Sequence, residues 1–339
     1  MGLKQADSLV AGGRGPAGEG ALPVWVAVGG PGGPVAPRLP LAFEPWLYLQ
    51  PAHQALQAAA GPVRSYYLED PAAGRTVAQL HVAPDAETGT ARSPARAPFG
   101  AVQLATGLAP AHLHGLLDAA EADLAAQGQR RLVLRGAPFA YDPAGAAALA
   151  EALRRRGYRV VLAEQNYHLD SARDYEAHLH PSERRRLHKC RRHGLHVEQE
   201  PPDLLPAAYA FIQGCRQERG QELSLPLAQV QELFRRFPRE HFLFSVREPG
   251  GGWAALTVAI RVSGRALYNF YPASPLRCNA LSPVVLLNEG LHAFARASHM
   301  AVLDLGTSSL DTGPNASLLQ FKRHLGGVAG LRLSWEKEL

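Results

Sequence analysis

Two residues of opposite charge near the carboxyl end, Asp304 and Lys322, stand where side chains can do chemistry. The run Ala301-Val302-Leu303-Asp304-Leu305-Gly306 reads as a short apolar strand closed by a turn, and 316–325 as a helix stopped by Gly326-Gly327. A carboxylate at a strand end and an ammonium on the next helix lie at the mouth of an α/β sheet, where ligands bind. Taken by themselves, Lys322 and Phe321 read as a helix-surface lysine next to a core phenylalanine. Asp304 could take up a proton or pair with Lys322. It could also simply accept N–H groups from the Gly306-Thr307 turn and fix that loop.

A second charged feature is the run Ser182-Glu183-Arg184-Arg185-Arg186-Leu187-His188-Lys189-Cys190-Arg191-Arg192-His193-Gly194. Helical steps put Arg185, Lys189 and Arg192 on one side, Arg184 and Arg191 about a third of a turn away, and Arg186 on the opposite flank. Such a helix could hold a diphosphate, a tRNA end or an anionic lipid surface, or be solvated charge. Only four of the 35 basic residues are lysines, so Lys189 and Lys322 stand out against an arginine background. Cys190, Cys215 and Cys278 are too scattered for a disulfide framework or a zinc site. The pairs His112/His114 and His178/His180 diverge on helices or loops, so no metal is expected.

The elements that must position these groups follow from pattern. The 339 residues suffice for roughly two domains, and 46% hydrophobic content allows a sizeable core. The net charge of +5 is weak evidence for an anionic partner. No apolar run reaches the ~20 residues of a membrane helix, and residues 1–20 lack the apolar core of a signal peptide, so a cytoplasmic protein is expected. The glycine-rich 1–20 is expected to be disordered. Strands are expected at 24–28, 65–69, 76–82, 101–104, 131–134 and 159–163, with helices at 113–126 and 146–156. Beyond 170 come a helix at 182–193 and a strand at 195–199, then helices at 204–217 and 227–237. A meander at 241–247, 253–262 and 266–271 follows, then a helix at 283–297, a strand at 301–305, a helix at 316–325 and a strand at 329–333.

From 195 onward this order, β-α-α-β-β-β-α-β-α-β, resembles the GNAT N-acetyltransferase fold. Ser282-Pro283 before the long helix, Leu303-Asp304-Leu305-Gly306, and Leu319-Gln320-Phe321-Lys322-Arg323-His324-Leu325-Gly326-Gly327 are similar to the FemAB and BioF-like branch, as is the basic run. The resemblance covers 171–339 well and 21–170 by element order plus the loop at 92–100. It implies an α/β (α+β, mixed-sheet) fold with two tandem GNAT-like acyltransferase domains, a degenerate one over 21–170 and a second over 171–339. The implied activity is transfer of an acyl group to an amine by direct attack, in the cleft between the domains. Lys322 and Asp304 would be catalytic, with Tyr268, Tyr271 and Phe321 lining the site and Arg185, Lys189, Arg192 and Arg277 meeting substrate phosphates. Tyr268 and Tyr271 cannot share a face of a regular strand.

The implied donor is acetyl-CoA or another acyl-CoA, and the acceptor a small-molecule or cell-wall-precursor-like amine. One departure concerns that donor. Enzymes of this fold cradle pyrophosphate on amides of a glycine-containing turn before the long helix. Here 272–283 has no glycine and three prolines without an amide hydrogen. The corresponding turn of the first half, 105–110, has one glycine. A Fem-like peptidyltransferase using aminoacyl-tRNA, with the basic helix recruited for RNA, and a non-catalytic binding module stay open beside the acyltransferase.

Overall fold

A computed structural model describes residues 8–10, 21–30, 35–58, 61–310 and 313–339. The expectation of disorder over 1–20 falls outside the described residues except at Ser8–Val10 (β1), whose backbone pairs antiparallel with Val24–Val26. The chain divides into two units, Met1–Glu164 with Leu331–Leu339, and Gln165–Gly330.

In the first unit β1 is followed by β2 (Val24–Gly29), α1 (Pro51–Gln57), β3 (Val63–Asp70), β4 (Arg75–Val82), β5 (Thr90–Ser93), β6 (Val102–Leu104), α2 (Pro110–Ala126), β7 (Arg131–Arg135) and α3 (Pro143–Arg155). The order β1-β2-β3-β4-β6 is antiparallel throughout, and β5 runs parallel to β7. Leu116, Leu117, Ala120 and Leu124 of α2 pack with Tyr66, Leu68 and Leu80 of the sheet into one core. Asp142 caps α3 by accepting from the Gly145 N–H, with Pro143 at the first helical position. The short β5 and α1 escape the sequence pattern because neither carries a full period of apolar residues.

The second unit starts inside β8 (Arg159–Asp170). It continues with α4 (Tyr175–His178), α5 (Pro181–Arg192), β9 (His196–Glu200), α6 (Leu205–Gln217), α7 (Leu227–Arg236), β10 (His241–Arg247), β11 (Trp253–Ser263), β12 (Ala266–Asn269) and α8 (Val284–Ala297). Then come β13 (Val302–Thr307), the small hairpin β14 (Ser309–Leu310) and β15 (Gly313–Pro314), α9 (Ala316–His324) and β16 (Val328–Glu338). Its sheet runs β8-β13-β12-β11-β10-β9, antiparallel except for β12 and β13. Leu287, Leu291 and Ala295 of α8 are fully buried on that sheet with Val246, Ala255 and Leu303.

Two expectations need correction. The boundary lies within β8 at Glu164, not at 170, because this strand runs on for twelve residues. The last nine residues belong to the first unit rather than the second: Ser334–Glu338 of β16 pair with Arg131–Arg135 of β7, and Arg332 is bound by the Glu164 carboxylate. No local pattern reveals which strand a distant segment will satisfy.

Candidate active site

The site begins where two parallel strands part. Ala266, Leu267 and Tyr268 of β12 face Val302, Leu303 and Asp304 of β13, and the register ends there. On one side the N–H groups of Phe270 and Tyr271 both donate to the Val258 carbonyl, at 2.9 and 3.2 Å, which turns the end of β12 toward β11. On the other, Gly306 adopts φ +73°, a left-handed conformation that glycine takes without steric cost, and β13 slips register against β8. Asp304 holds this turn. Its Oδ1 accepts from the Gly306 N–H at 2.7 Å and from Asn166 Nδ2 at 2.8 Å, with the side chain 2% exposed.

The gap is a cavity of about 580 Å³ formed by the second unit alone. Asn269 and Leu305 line it from β12 and β13, Asn288 from α8, Phe321 and Lys322 from α9, Arg216 from α6 and Arg219 from the turn after α6. Lys322 is 5% exposed, and its Nζ donates to the carbonyls of Gly306 and Thr307, each at 2.8 Å. An ammonium so placed ties α9 to the end of β13 while it borders the cavity.

A chain of buried amides forms another part of the lining. Asn288 Nδ2 donates to the Val284 carbonyl at 2.8 Å, Asn269 Nδ2 to Asn288 Oδ1 at 3.2 Å, and Thr257 Oγ1 to Asn269 Oδ1 at 2.7 Å. The Val284 carbonyl can only accept, so it sets the direction of every bond in the chain. Asn269 and Asn288 each keep a second Nδ2 hydrogen, so what they can still offer a ligand is mainly donation.

Of the residues expected from sequence, Lys322 and Phe321 line the cavity. Asp304 braces the turn behind it. Tyr268 is on the other face of β12 from Asn269, in edge contact with Phe270 at 5.5 Å. Tyr271 is buried with its hydroxyl bonded to Ser224 Oγ at 2.6 Å and to the Leu225 N–H at 3.1 Å, so it pins the loop between α6 and α7. Arg277 gives its charge to Glu248 at 2.7 Å. Lys189 reaches the Ala280 carbonyl at 3.2 Å, while Arg185 and Arg192 border an open recess with His188 and Arg191. Like Asp304, these six are outside the lining of the cavity, whose walls come from the second unit.

Arg216, Arg219, Asn269, Asn288 and Arg186 are among the lining residues that sequence reasoning did not place in the site. Arg186 was legible as the odd flank of the basic helix; the others carry no local signal. His168, opposite Asp304 in the β8 register, was missed as well. Burial lowers its pKa, with Asp304 and Asp170 opposing, and its Nδ1 has no partner.

The glycine-free turn follows the end of β12. It forms a 3₁₀ turn at Leu276–Cys278, and the N–H groups of Cys278, Asn279, Leu281, Ser282 and Val285 donate to carbonyls within the segment. Those amides cannot also cradle a pyrophosphate. The thiol of Cys215 at the cavity is pushed up to about 11 by burial, as is that of Cys190, so neither is a ready nucleophile. In the first unit the place between the ends of β6 and β7 holds only about 30 Å³, with Trp46 and Trp335 in its lining. Among the described residues no group of three or more His, Cys, Asp or Glu could hold a metal ion, and no helix is long and apolar enough to cross a membrane.

No protein-family model and no curated protein matches the sequence. Solved structures do. FemX is similar at 12% identity with a TM-score of 0.63, over 82% of this chain and 88% of that one. The C-terminal domain of a protein assigned as a lysylphosphatidylglycerol synthetase, from Agrobacterium fabrum, is similar at 12% identity with a TM-score of 0.52, over 81% and 84%. L-PGS from Bacillus licheniformis is similar at 11% identity with a TM-score of 0.50, over 76% and 80%. At such identities the likeness shows the fold alone: a mixed α/β architecture like that of FemX.

Proposed function

We propose that the protein is an acyltransferase whose second unit transfers an acyl group to an amine by direct attack. The observation that carries this reading is the cavity opened where β12 and β13 part, edged by the amide of Asn269 and the ammonium of Lys322. Transfer needs the acyl carbonyl held still and a donor aimed at its oxygen as charge develops. Asn269 and Lys322 are donors held in place by buried bonds, so they need little reorganisation as the reaction proceeds. The amine nitrogen bonds to the carbonyl carbon, the bond to the departing thiol or hydroxyl breaks, and the amine proton ends on that leaving group. Asp304 serves as a brace in this reading: it fixes Gly306, whose carbonyl in turn positions Lys322. The filled gap of the first unit supports assigning the reaction to the second.

A second reading, aminoacyl transfer from tRNA, is favoured by the exposed Arg185 and Arg192 of α5 and by the likeness to FemX and to a protein whose name denotes attachment of lysine to a lipid. Thiol release from acetyl-CoA, followed across a panel of amines, tests the first reading; deacylation of aminoacyl-tRNA under the same conditions tests the second. Lys322→Ala should lower the active reaction by about 100-fold or more. Unchanged turnover in that variant would remove Lys322 from the chemistry, and turnover in neither assay would sink the transferase assignment.

A further inference from the structure

We infer that Arg216 of α6 and Arg219 of the turn that follows it form a subsite for a phosphoryl or diphosphate group in the second-unit cavity. Four cationic side chains line that cavity, Arg186, Arg216, Arg219 and Lys322, and no aspartate or glutamate is among its lining residues. Their charges are not equally committed. Arg186 is paired with Glu183 at 2.8 Å, and Lys322 is tied to two carbonyls. Arg219 donates to the Cys215 carbonyl at 2.9 Å and meets its neighbour Glu218 only at 3.9 Å, while Glu218 already accepts from the Leu276 N–H at 2.7 Å.

Arg216 is the exception that points to a ligand. Its partners are Gln221 Oε1 at 2.9 Å and the Pro272 carbonyl at 3.2 Å, both neutral, and they use two of its five N–H donors. Burial lowers its pKa, which the Tyr271 phenol only partly opposes. Burial works against Arg156 too, but the carboxylates of Glu121 and Asp118 outweigh it there and the pKa is raised. A half-buried guanidinium without a carboxylate costs stability unless something anionic arrives.

A phosphoryl group suits it best, because the guanidinium fork matches phosphate oxygens and a second guanidinium, that of Arg219 in the turn after α6, lines the same cavity. The amides of Cys278, Asn279, Leu281, Ser282 and Val285 before and at the start of α8 are bonded to carbonyls of that segment and so are not open to an anion. The inference concerns binding and does not depend on turnover.

Calorimetric titration of the full-length protein with inorganic pyrophosphate tests it, with acetate as the control anion. Saturable pyrophosphate binding is expected, weakened about tenfold to a hundredfold by Arg216→Gln, less so by Arg216→Lys, and unaffected by Arg277→Gln. Circular dichroism establishes that each variant is folded; should Arg216→Gln fail to fold, Arg219→Gln provides the same comparison. Competition then assigns the source: displacement by CoA identifies a nucleotide cofactor, displacement by a short RNA ending in CCA identifies an RNA terminus, and either supports the subsite. Pyrophosphate binding no tighter than acetate, or equal binding by folded Arg216→Gln, overturns it. Intact pyrophosphate binding with no transfer activity would remove the proposed reaction and leave the subsite standing.

Discussion

Replacing Asp304 separates a brace from a proton acceptor. In Asp304→Ala two donors, the Gly306 N–H and Asn166 Nδ2, are left in a site where the native carboxylate is 2% exposed. Each buried donor without a partner costs about 1–3 kcal/mol, so the expected loss is roughly 2–6 kcal/mol. Asp304→Asn keeps an oxygen at the same place. It exchanges charge-assisted bonds for neutral ones about half as strong but also relieves the desolvation of a buried charge, so a smaller loss of about 1–3 kcal/mol is expected. Urea unfolding of both variants measures the order. As a brace, Asp304 should give a large loss for alanine, a small one for asparagine, and transfer activity that survives in the asparagine variant within roughly tenfold. An asparagine variant as stable as the wild type but reduced by several orders of magnitude in turnover would refute the brace and restore Asp304 as a proton acceptor.

Gly290→Ala should destabilise the protein by about 1–3 kcal/mol, since its Cβ would lie 2.4 Å from Val197 Cγ1 and 3.0 Å from Val197 Cβ. The usual gain from alanine in a helix, about 1 kcal/mol, does not offset an overlap in which the neighbour's Cβ takes part; a thermal melt at or above that of the wild type would show that α8 and β9 have room. Acid should destabilise both units through buried histidines. Burial lowers His81 to about 3, against a backbone bond to Leu49 that raises it, and lowers His241 to about 4, against one to Phe237. A folded-state pKa below the ordinary 6.5 means that the unfolded chain binds the proton first. The stabilisation is therefore full above pH 6.5 and lost as pH falls toward the folded values, by roughly 2 kcal/mol per histidine at pH 5. Urea unfolding at pH 7.5 and 5 should show that loss, and His81→Gln and His241→Gln should each reduce it; an unaltered pH slope in both variants would refute the assignment.

Sequence determined the parts whose cause is local. The meander, the long helices and the strand holding Asp304 were legible because their apolar periods are complete and their ends are marked by glycine, proline or charge. The 272–283 segment was legible as lacking glycine and three amide hydrogens because both are properties of residue type. The choice Asp304 faced, proton acceptor or turn brace, was legible too, but choosing between them requires knowing where Asn166 and the Gly306 amide lie.

Tertiary structure alone decided which charges are spent. Arg277 and Arg216 look alike in sequence, yet a strand turn brings Glu248 to one and only neutral oxygens to the other. Arg185, Lys189 and Arg192 share a helical face, but that face is turned from the cavity, and Arg186 of the opposite flank lines it. Asn269 and Asn288 acquire meaning only when β12 and α8 bring them within a hydrogen bond. Local pattern follows from near neighbours along the chain; whether a charge is compensated, or an amide is left with a donor to offer, depends on groups brought close only by folding.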